Sequence, residues 1–325
     1  MSTDSLFTEK FNHHFIKIDE EINLSFNSRV PLVENIGKHS LSGAGKRIRP
    51  LLFVLVCGMC KYERDDIYHV STLFEHMHTA SLLHDDVIDN AETRRGKPSA
   101  SHIWCNSAAV LSGDYLFSLA TAAAANSSSI EFVKIVAQTA SKMTEGQVSE
   151  LVNTGNLNLD REEYMRIITY KTAELMAATC TCGAIIAGQN KDVVANLHKF
   201  GINMGIAFQL MDDLLDYTSS EEKFGKPVGK DLKECKTTLP LIYTLIRING
   251  DDRSKFEAAF KGKVIYEKEH DELISLVRKS GAIDKVKLEA EEHVKKAAGF
   301  LKSFPESQSK ADLMSINEYV IKRDF

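Results

Sequence analysis

Proline is scarce in this sequence: there are six among 325 residues, and none falls between Pro98 and Pro227. That is about 2%, against roughly 5% in average usage. Proline breaks helix interiors because it lacks an amide donor and clashes with the preceding turn, so the proline-free stretch permits long uninterrupted helices. Long apolar runs are also missing. The longest, Leu51 to Cys60, has ten residues, short of the roughly 18 that mark a bilayer-spanning helix. No transmembrane helix and no stable membrane insertion are expected. Met1-Ser-Thr-Asp lacks the basic-then-apolar pattern of a leader peptide, which points to a soluble cytoplasmic protein. A basic excess is absent as well: Lys plus Arg is 40, Asp plus Glu 45, and the net charge −5. This disfavours a nucleic-acid partner.

Cysteines number six: Cys57, Cys60, Cys105, Cys180, Cys182 and Cys235. Cys57-Gly-Met-Cys60 has the C-x-x-C form, but a zinc site needs two further ligands, and Cys180-Thr-Cys182 is the only other pair. Both lie among apolar residues, where a thiol behaves as a small hydrophobe. Buried reduced thiols are expected, with no disulfide framework.

Apolar spacing is helical nearly throughout. Val70, Leu73, Phe74, Met77 and Ala80 recur at steps of three and four, and Ile202, Ile206, Leu210 and Leu214 do the same. Breaks fall at Gly43-Ala-Gly45, Arg95-Gly-Lys-Pro98, Ser127-Ser-Ser129, Gly155-Asn156, Gly188-Gln-Asn190, Gly225-Lys-Pro227 and Asn249-Gly250. The expected fold is all-α, about a dozen helices in a single domain over residues 1–325.

Two acidic segments stand out. His84-Asp85-Asp86-Val87-Ile88-Asp89 ends one apolar helical stretch and Met211-Asp212-Asp213-Leu214-Leu215-Asp216 ends another. In each, the outer aspartates are four residues apart, which puts two carboxylates on one helix face roughly 6 Å apart. One such motif reads equally as a solvated helix end. Two, both on apolar helices, favour a hard divalent cation between them. Oxygen-only ligands favour Mg²⁺, which completes its shell with water and phosphate oxygens.

Basic residues accompany them: Lys46, Arg47 and Arg49 open one helix, Arg94 and Arg95 follow the first acidic motif, and Lys171, Lys226 and Lys236 surround the second. Arginine forks and lysine point charges clamp phosphate. No phosphate-binding glycine loop or kinase motif is present. The combination describes a diphosphate held by side chains and metal.

Taken in order, GKRIRP, EHMHTASLLHDDVID, RRGKP, AVLSGDYLF, the Gly146-Gln147 pair, KTAEL, FQLMDDLLDY and GKPVGKDLKECKTTLP closely resemble the trans-isoprenyl (polyprenyl) diphosphate synthases. The resemblance runs from about Gly43 to Pro240 and is nearest to the long-chain, heptaprenyl and octaprenyl type. It implies an all-α homodimer with a central catalytic cavity in each subunit. There an allylic diphosphate (farnesyl, geranyl or dimethylallyl) and isopentenyl diphosphate join head to tail. Asp85, Asp89 and Asp212 map onto Mg²⁺ ligands, with Asp216 in the same set and Asp86 and Asp213 in support. Arg94, Lys171, Thr172, Gln209, Lys226 and Lys236 map onto the allylic diphosphate contacts. Lys46, Arg49, His78 and Arg95 map onto the isopentenyl diphosphate pocket. Charge balance with six aspartates and one diphosphate calls for about three Mg²⁺. Cys235, where glycine is frequent in this family, and Lys230 depart from the pattern and bear on how the loop at Lys236 closes.

In this family a bulky residue four or five positions before the first aspartate shortens the product. Here Ser81 and Ala80 are small. Met77 and Phe74 follow about 12 and 16.5 Å below Asp85 along the helix, so a product of roughly C35 to C50 for a quinone side chain is expected. Phe74, Phe117 and Phe132 are candidate tunnel floors, and Ala120 and Ala122 to Ala125 leave room beside them. Rival readings are a geranylgeranyl or farnesyl synthase, a class I terpene cyclase, and a non-catalytic partner subunit of a heteromeric synthase.

Overall fold

The computed structural model describes residues 3–41, 45–64, 66–127, 129–218, 229–262 and 267–322. The chain is all-α, as its periodicity predicts. α1 (Thr3–Ser25) and α2 (Pro31–Leu41) lead into α3 (Ile48–Met59) and α4 (Ile67–Ile88). A short hairpin (β1, Thr93–Arg94; β2, Lys97–Pro98) precedes α5 (Ala100–Trp104), α6 (Asn106–Asn126) and α7 (Ile130–Asn153). α8 (Arg161–Ile168) runs through a π-helical turn, Thr169–Ala173, into α9 (Glu174–Ile186), followed by the long α10 (Lys191–Thr218). The remainder is α11 (Lys230–Lys233), α12 (Leu239–Arg247), α13 (Gly250–Gly262), α14 (Glu267–Lys279), α15 (Ala282–Leu301) and α16 (Gln308–Lys322).

Helix starts follow from capping chemistry. The side chains of Ser99, Ser129 and Asp160 accept from the backbone amides of His102, Phe132 and Glu163, satisfying first-turn donors that have no partner within the helix. The expected break at Arg95-Gly96 is a two-residue hairpin turn with both residues at positive φ, 52° and 75°, the twist that matches its flanking strands. Pattern reading did not anticipate this strand pair, because two-residue strands carry no alternation.

α3, α4, α9 and α10 form the centre of the bundle. α4 lies against α3 and α6, and α10 against α9 and α15. Cys57, Cys60, Cys180 and Cys182 are buried free thiols on α3 and α9, and burial pushes them up, Cys60 to about 11. By length and mean hydropathy (1.3) α6 meets the test for a membrane-crossing helix, which run length did not signal and which a core helix also meets. Its apolarity comes mainly from Ala and Leu interrupted by Ser, Thr, Gly and Asp, so no long run appears. A third of that stretch (33%) is buried inside the protein.

Candidate active site

Each aspartate motif lies at the end of a helix. Asp85 lies in the last turn of α4, and Asp89 closes that helix as its C-cap; Asp212 and Asp216 lie near the end of α10. The two motifs, near-identical in sequence, are held differently. In the first, Asp86 is buried and accepts from Arg94 Nε at 2.7 Å and Nη2 at 2.5 Å. In the second, Asp213 is buried and accepts from the Tyr164 hydroxyl and from Gln209 Nε2 at 2.7 Å. Each middle aspartate therefore anchors its helix end to the protein. Burial pushes Asp213 up to about 7, while the two donors pull against that rise.

The outer aspartates also differ. Lys236 Nζ reaches Asp89 Oδ2 at 3.2 Å and Glu234 at 2.7 Å. Asp216 accepts the backbone amides of Lys230 and Asp231, each at 3.0 Å, and so caps α11. Burial raises Asp85, and Lys171 pulls it down. Asp212 places its charge on Arg49, across the cleft.

Lys171 and Thr172 sit on the π turn between α8 and α9. An inserted residue of this kind shifts the helical register and recurs at functional sites. Two glycines let the turn be approached: a Cβ at Gly146 would lie 2.5 Å from the Lys171 amide nitrogen, and one at Gly205 would lie 2.5 Å from Ala173 Cα. Lys171 Nζ donates to Glu150, and Thr172 Oγ1 donates to Gln209 at 2.8 Å. Burial opposes the charge on Lys171 and on Lys236, but Glu150 leads the carboxylates that outweigh it, and both ammonium groups are raised. The cleft between them, about 670 Å³ and open to solvent, is lined by Glu150, Tyr164, Lys171, Thr172, Gln209, Asp213, Asp231 and Lys236.

Cys235, the departure noted in the sequence, has φ 54°, in the left-handed region that favours glycine. Its carbonyl accepts from the Gly155 amide at 2.8 Å. The loop closes onto Lys236 despite the missing glycine, at a strain of roughly 1–2 kcal/mol.

A second basic group lies beside the first motif. Lys46 Nζ pairs with Asp4 at 2.8 Å and donates to the Tyr319 hydroxyl, so the first and last helices meet there. Arg49 is half-buried, its Nε enclosed with no hydrogen-bond partner, and burial and Arg95 push it down to about 10. His78 is held well below its ordinary value by burial and by Arg49, Arg95 and Arg94. Arg47 acts on it in the same direction, so four arginines lie within electrostatic reach of His78. Lys226 lies outside the described residues.

Met77 on α4 lines a small apolar pocket with Phe117, Ala120, Thr121 and Ala124 of α6 and Val133, Val136, Ala137 and Ala140 of α7. Phe74 packs against Phe53 (5.4 Å between ring centroids) and Phe132 (6.5 Å) in the cluster that also holds Met77. Ala80 is fully buried.

Sequence reasoning missed four residues here. Glu150 follows Gln147 by three positions on α7, and Tyr164 precedes Lys171 by two helical turns; both signals were present. Asp231 and Phe53 had no comparable mark.

The donors suit Mg²⁺ by type: carboxylate oxygens at the ends of α4 and α10, with Arg94 and Lys236 bonded to the first group. Among the described residues, no three acidic, histidine or cysteine side chains converge into a ready cage.

The chain matches the polyprenyl synthetase family model over residues 30–277. It is 34% identical over 313 residues to the octaprenyl diphosphate synthase of Haemophilus influenzae, covering 95% of this chain and 94% of that one. It is 33% identical over 308 residues to heptaprenyl diphosphate synthase component 2 of Geobacillus stearothermophilus, covering 95% of each. Among solved structures, the Caulobacter crescentus polyprenyl synthase, complexed with calcium and isoprenyl diphosphate, superposes with a TM-score of 0.93 at 32% identity, covering 99% of this chain and 98% of that one. The family match and these relatives show that the chain is a prenyltransferase and belongs to the polyprenyl synthetase family.

Proposed function

We propose that this chain condenses isopentenyl diphosphate with an allylic diphosphate, repeatedly, to give a polyprenyl diphosphate of roughly C35 to C50. One observation carries the reading: a polar cleft lined by Lys171, Gln209, Asp213 and Lys236 accompanies an apolar pocket lined by Met77, which stands on the same helix as Asp85. Polar head and greasy tail of one substrate both find a place.

Asp85, Asp89 and Asp212 are the residues to hold Mg²⁺, with Asp216 in a supporting place. Mg²⁺, when bound, neutralises charge on the leaving diphosphate. The chain's own Lys171, Lys236 and Arg94 stabilise that same charge as the allylic C–O bond breaks and diphosphate leaves with the electron pair. The double bond of isopentenyl diphosphate, held by Lys46, Arg49, His78 and Arg95, attacks the allylic cation. A new C–C bond forms, and a proton passes to the released diphosphate, leaving an allylic product one unit longer. The Ala, Val and Met lining of the cavity excludes water from the cation.

A homodimer is part of this reading. Leu111 on α6 and Ile130, Val148, Leu151 and Val152 on α7 are exposed, an apolar surface suited to a second copy. The aromatic group Phe53, Phe74 and Phe132 favours the shorter-chain alternative, since it narrows the route below Met77.

The test is a product assay with purified protein, Mg²⁺, farnesyl diphosphate and labelled isopentenyl diphosphate, sizing the dephosphorylated prenols. Seven to ten units support the reading. A stop at C20 keeps the chemistry and refutes the length. No turnover, restored by adding a second chain, indicates a heteromer.

A further inference from the structure

Arg47 is the basic residue of the Lys46–Arg49 run that points away from the proposed substrates. Its backbone is left-handed (φ 46°, ψ 32°) at the N-cap of α3, which Cβ sterics disfavour in any residue but glycine. Its guanidinium turns inward, 7% exposed, and is held at three points. Nη1 donates to Glu75 Oε1 at 2.7 Å, Nε to Asp19 Oδ1 at 2.9 Å, and Nη2 to the Leu41 carbonyl. Glu75 is 4% exposed and stands on α4, three residues before His78.

A carboxylate buried this deeply is destabilising unless it is paired, and a left-handed arginine persists only where its surroundings hold it. Each accounts for the other. The strained residue sits between Lys46, which precedes the turn, and Arg49, in the first turn of α3. Glu75 also places its charge on Arg49 and Arg95, so it adjoins the whole basic group.

We infer that Glu75 is a positioning residue for the isopentenyl diphosphate pocket: by gripping Arg47 it maintains the left-handed turn that presents Lys46 and Arg49 to one diphosphate. The inference rests on the reading of that pocket given above. Two simpler roles lead to different outcomes. If Glu75 only damped the positive charge of the pocket, its removal would tighten anion binding. If it only packed, its removal would lower Tm and leave binding alone.

The experiment uses the full chain with Mg²⁺ and compares wild type with Glu75→Gln. It measures KM for isopentenyl diphosphate and for farnesyl diphosphate, Kd of isopentenyl diphosphate by calorimetry, and Tm. The expected result is a rise of at least tenfold in KM and Kd for isopentenyl diphosphate, with KM for farnesyl diphosphate within twofold of wild type. A tighter Kd, an unchanged Kd, or equal weakening of both substrates overturns the inference. Asp19 is 52% exposed, so Asp19→Asn serves if Glu75→Gln does not fold. It releases one grip and is expected to raise the isopentenyl diphosphate Kd two- to fivefold, and no change overturns the inference. A wild type that binds isopentenyl diphosphate without turnover removes the synthase reading and leaves this inference standing. A wild type that does not bind it overturns both.

Discussion

Tyr164 donates its hydroxyl hydrogen to Asp213 inside the protein, 49 residues away in sequence, which makes the middle aspartate of the second motif an anchor for α10. Gln209 holds the other carboxylate oxygen. Tyr164→Phe removes one donor and leaves a buried carboxylate half satisfied. A loss of about 1–3 kcal/mol in stability is expected, together with a fall in kcat/KM for the allylic substrate of about tenfold to a hundredfold, since Asp212 and Asp216 ride on the same turns. Unchanged kinetics in a destabilised Tyr164→Phe enzyme would show that the anchor serves folding alone.

Glu150 sets the charge state of Lys171. Burial works to deprotonate this lysine, and Glu150 and Asp85 outweigh it. In Glu150→Gln the largest opposing influence is gone, so Lys171 loses its proton at lower pH. The alkaline limb of the kcat/KM profile for farnesyl diphosphate is expected to move toward neutrality, with a modest effect at pH 7. Lys171→Met, which removes the cation at every pH, is expected to lower kcat by about 10²–10³. An alkaline limb unmoved by Glu150→Gln would assign it to another group.

The all-α fold was legible because it rests on periodicity, which local sequence carries. Asp85 with Asp89 and Asp212 with Asp216 were visible for the same reason, each pair lying one turn apart on its own helix. What escaped depends on contacts between distant segments. Glu150 meets Lys171 across a π turn that no propensity announces. Tyr164 reads as an ordinary core aromatic until its hydroxyl is followed to Asp213. Arg47 carried no role of its own in the Lys46–Arg49 run, yet its left-handed backbone turns it inward to Glu75, 28 residues on. The apolar character of α6 was hidden because small residues add hydropathy without forming a run.

Product length gives a two-sided test. Ser81 lies one turn before Asp85 on α4, and Ala80 beside it is fully buried. Ser81→Phe is expected to shorten the product to C20 or less, and Ala80→Phe to do the same at some loss from overpacking. Phe74→Ala opens the aromatic group and is expected to lengthen the product, while the cavity it leaves destabilises the protein by about 3–5 kcal/mol. Prenol sizing of the three variants checks the route. If Ser81→Phe retained the wild-type length, the tail would have to leave the site by another path.

His76 gives a stability prediction with a definite sign. It is 2% exposed, its Nε2 meets Ser25 Oγ at 3.1 Å, and burial pushes it down to about 4 from an ordinary 6.5. The unfolded chain therefore binds this proton more readily than the folded one. Its contribution is present above pH 6.5 and is lost as pH falls toward 4, by an amount on the order of 3 kcal/mol at full effect. Asp213 acts in the opposite direction, because its raised value stabilises the folded state at low pH and that contribution fades as pH rises toward 7. The difference between wild type and His76→Phe isolates the histidine. Denaturant unfolding at pH 7.5 and pH 5 is expected to show wild type losing more stability on acidification than the variant. Equal losses would mean that this ring is protonated in the folded protein.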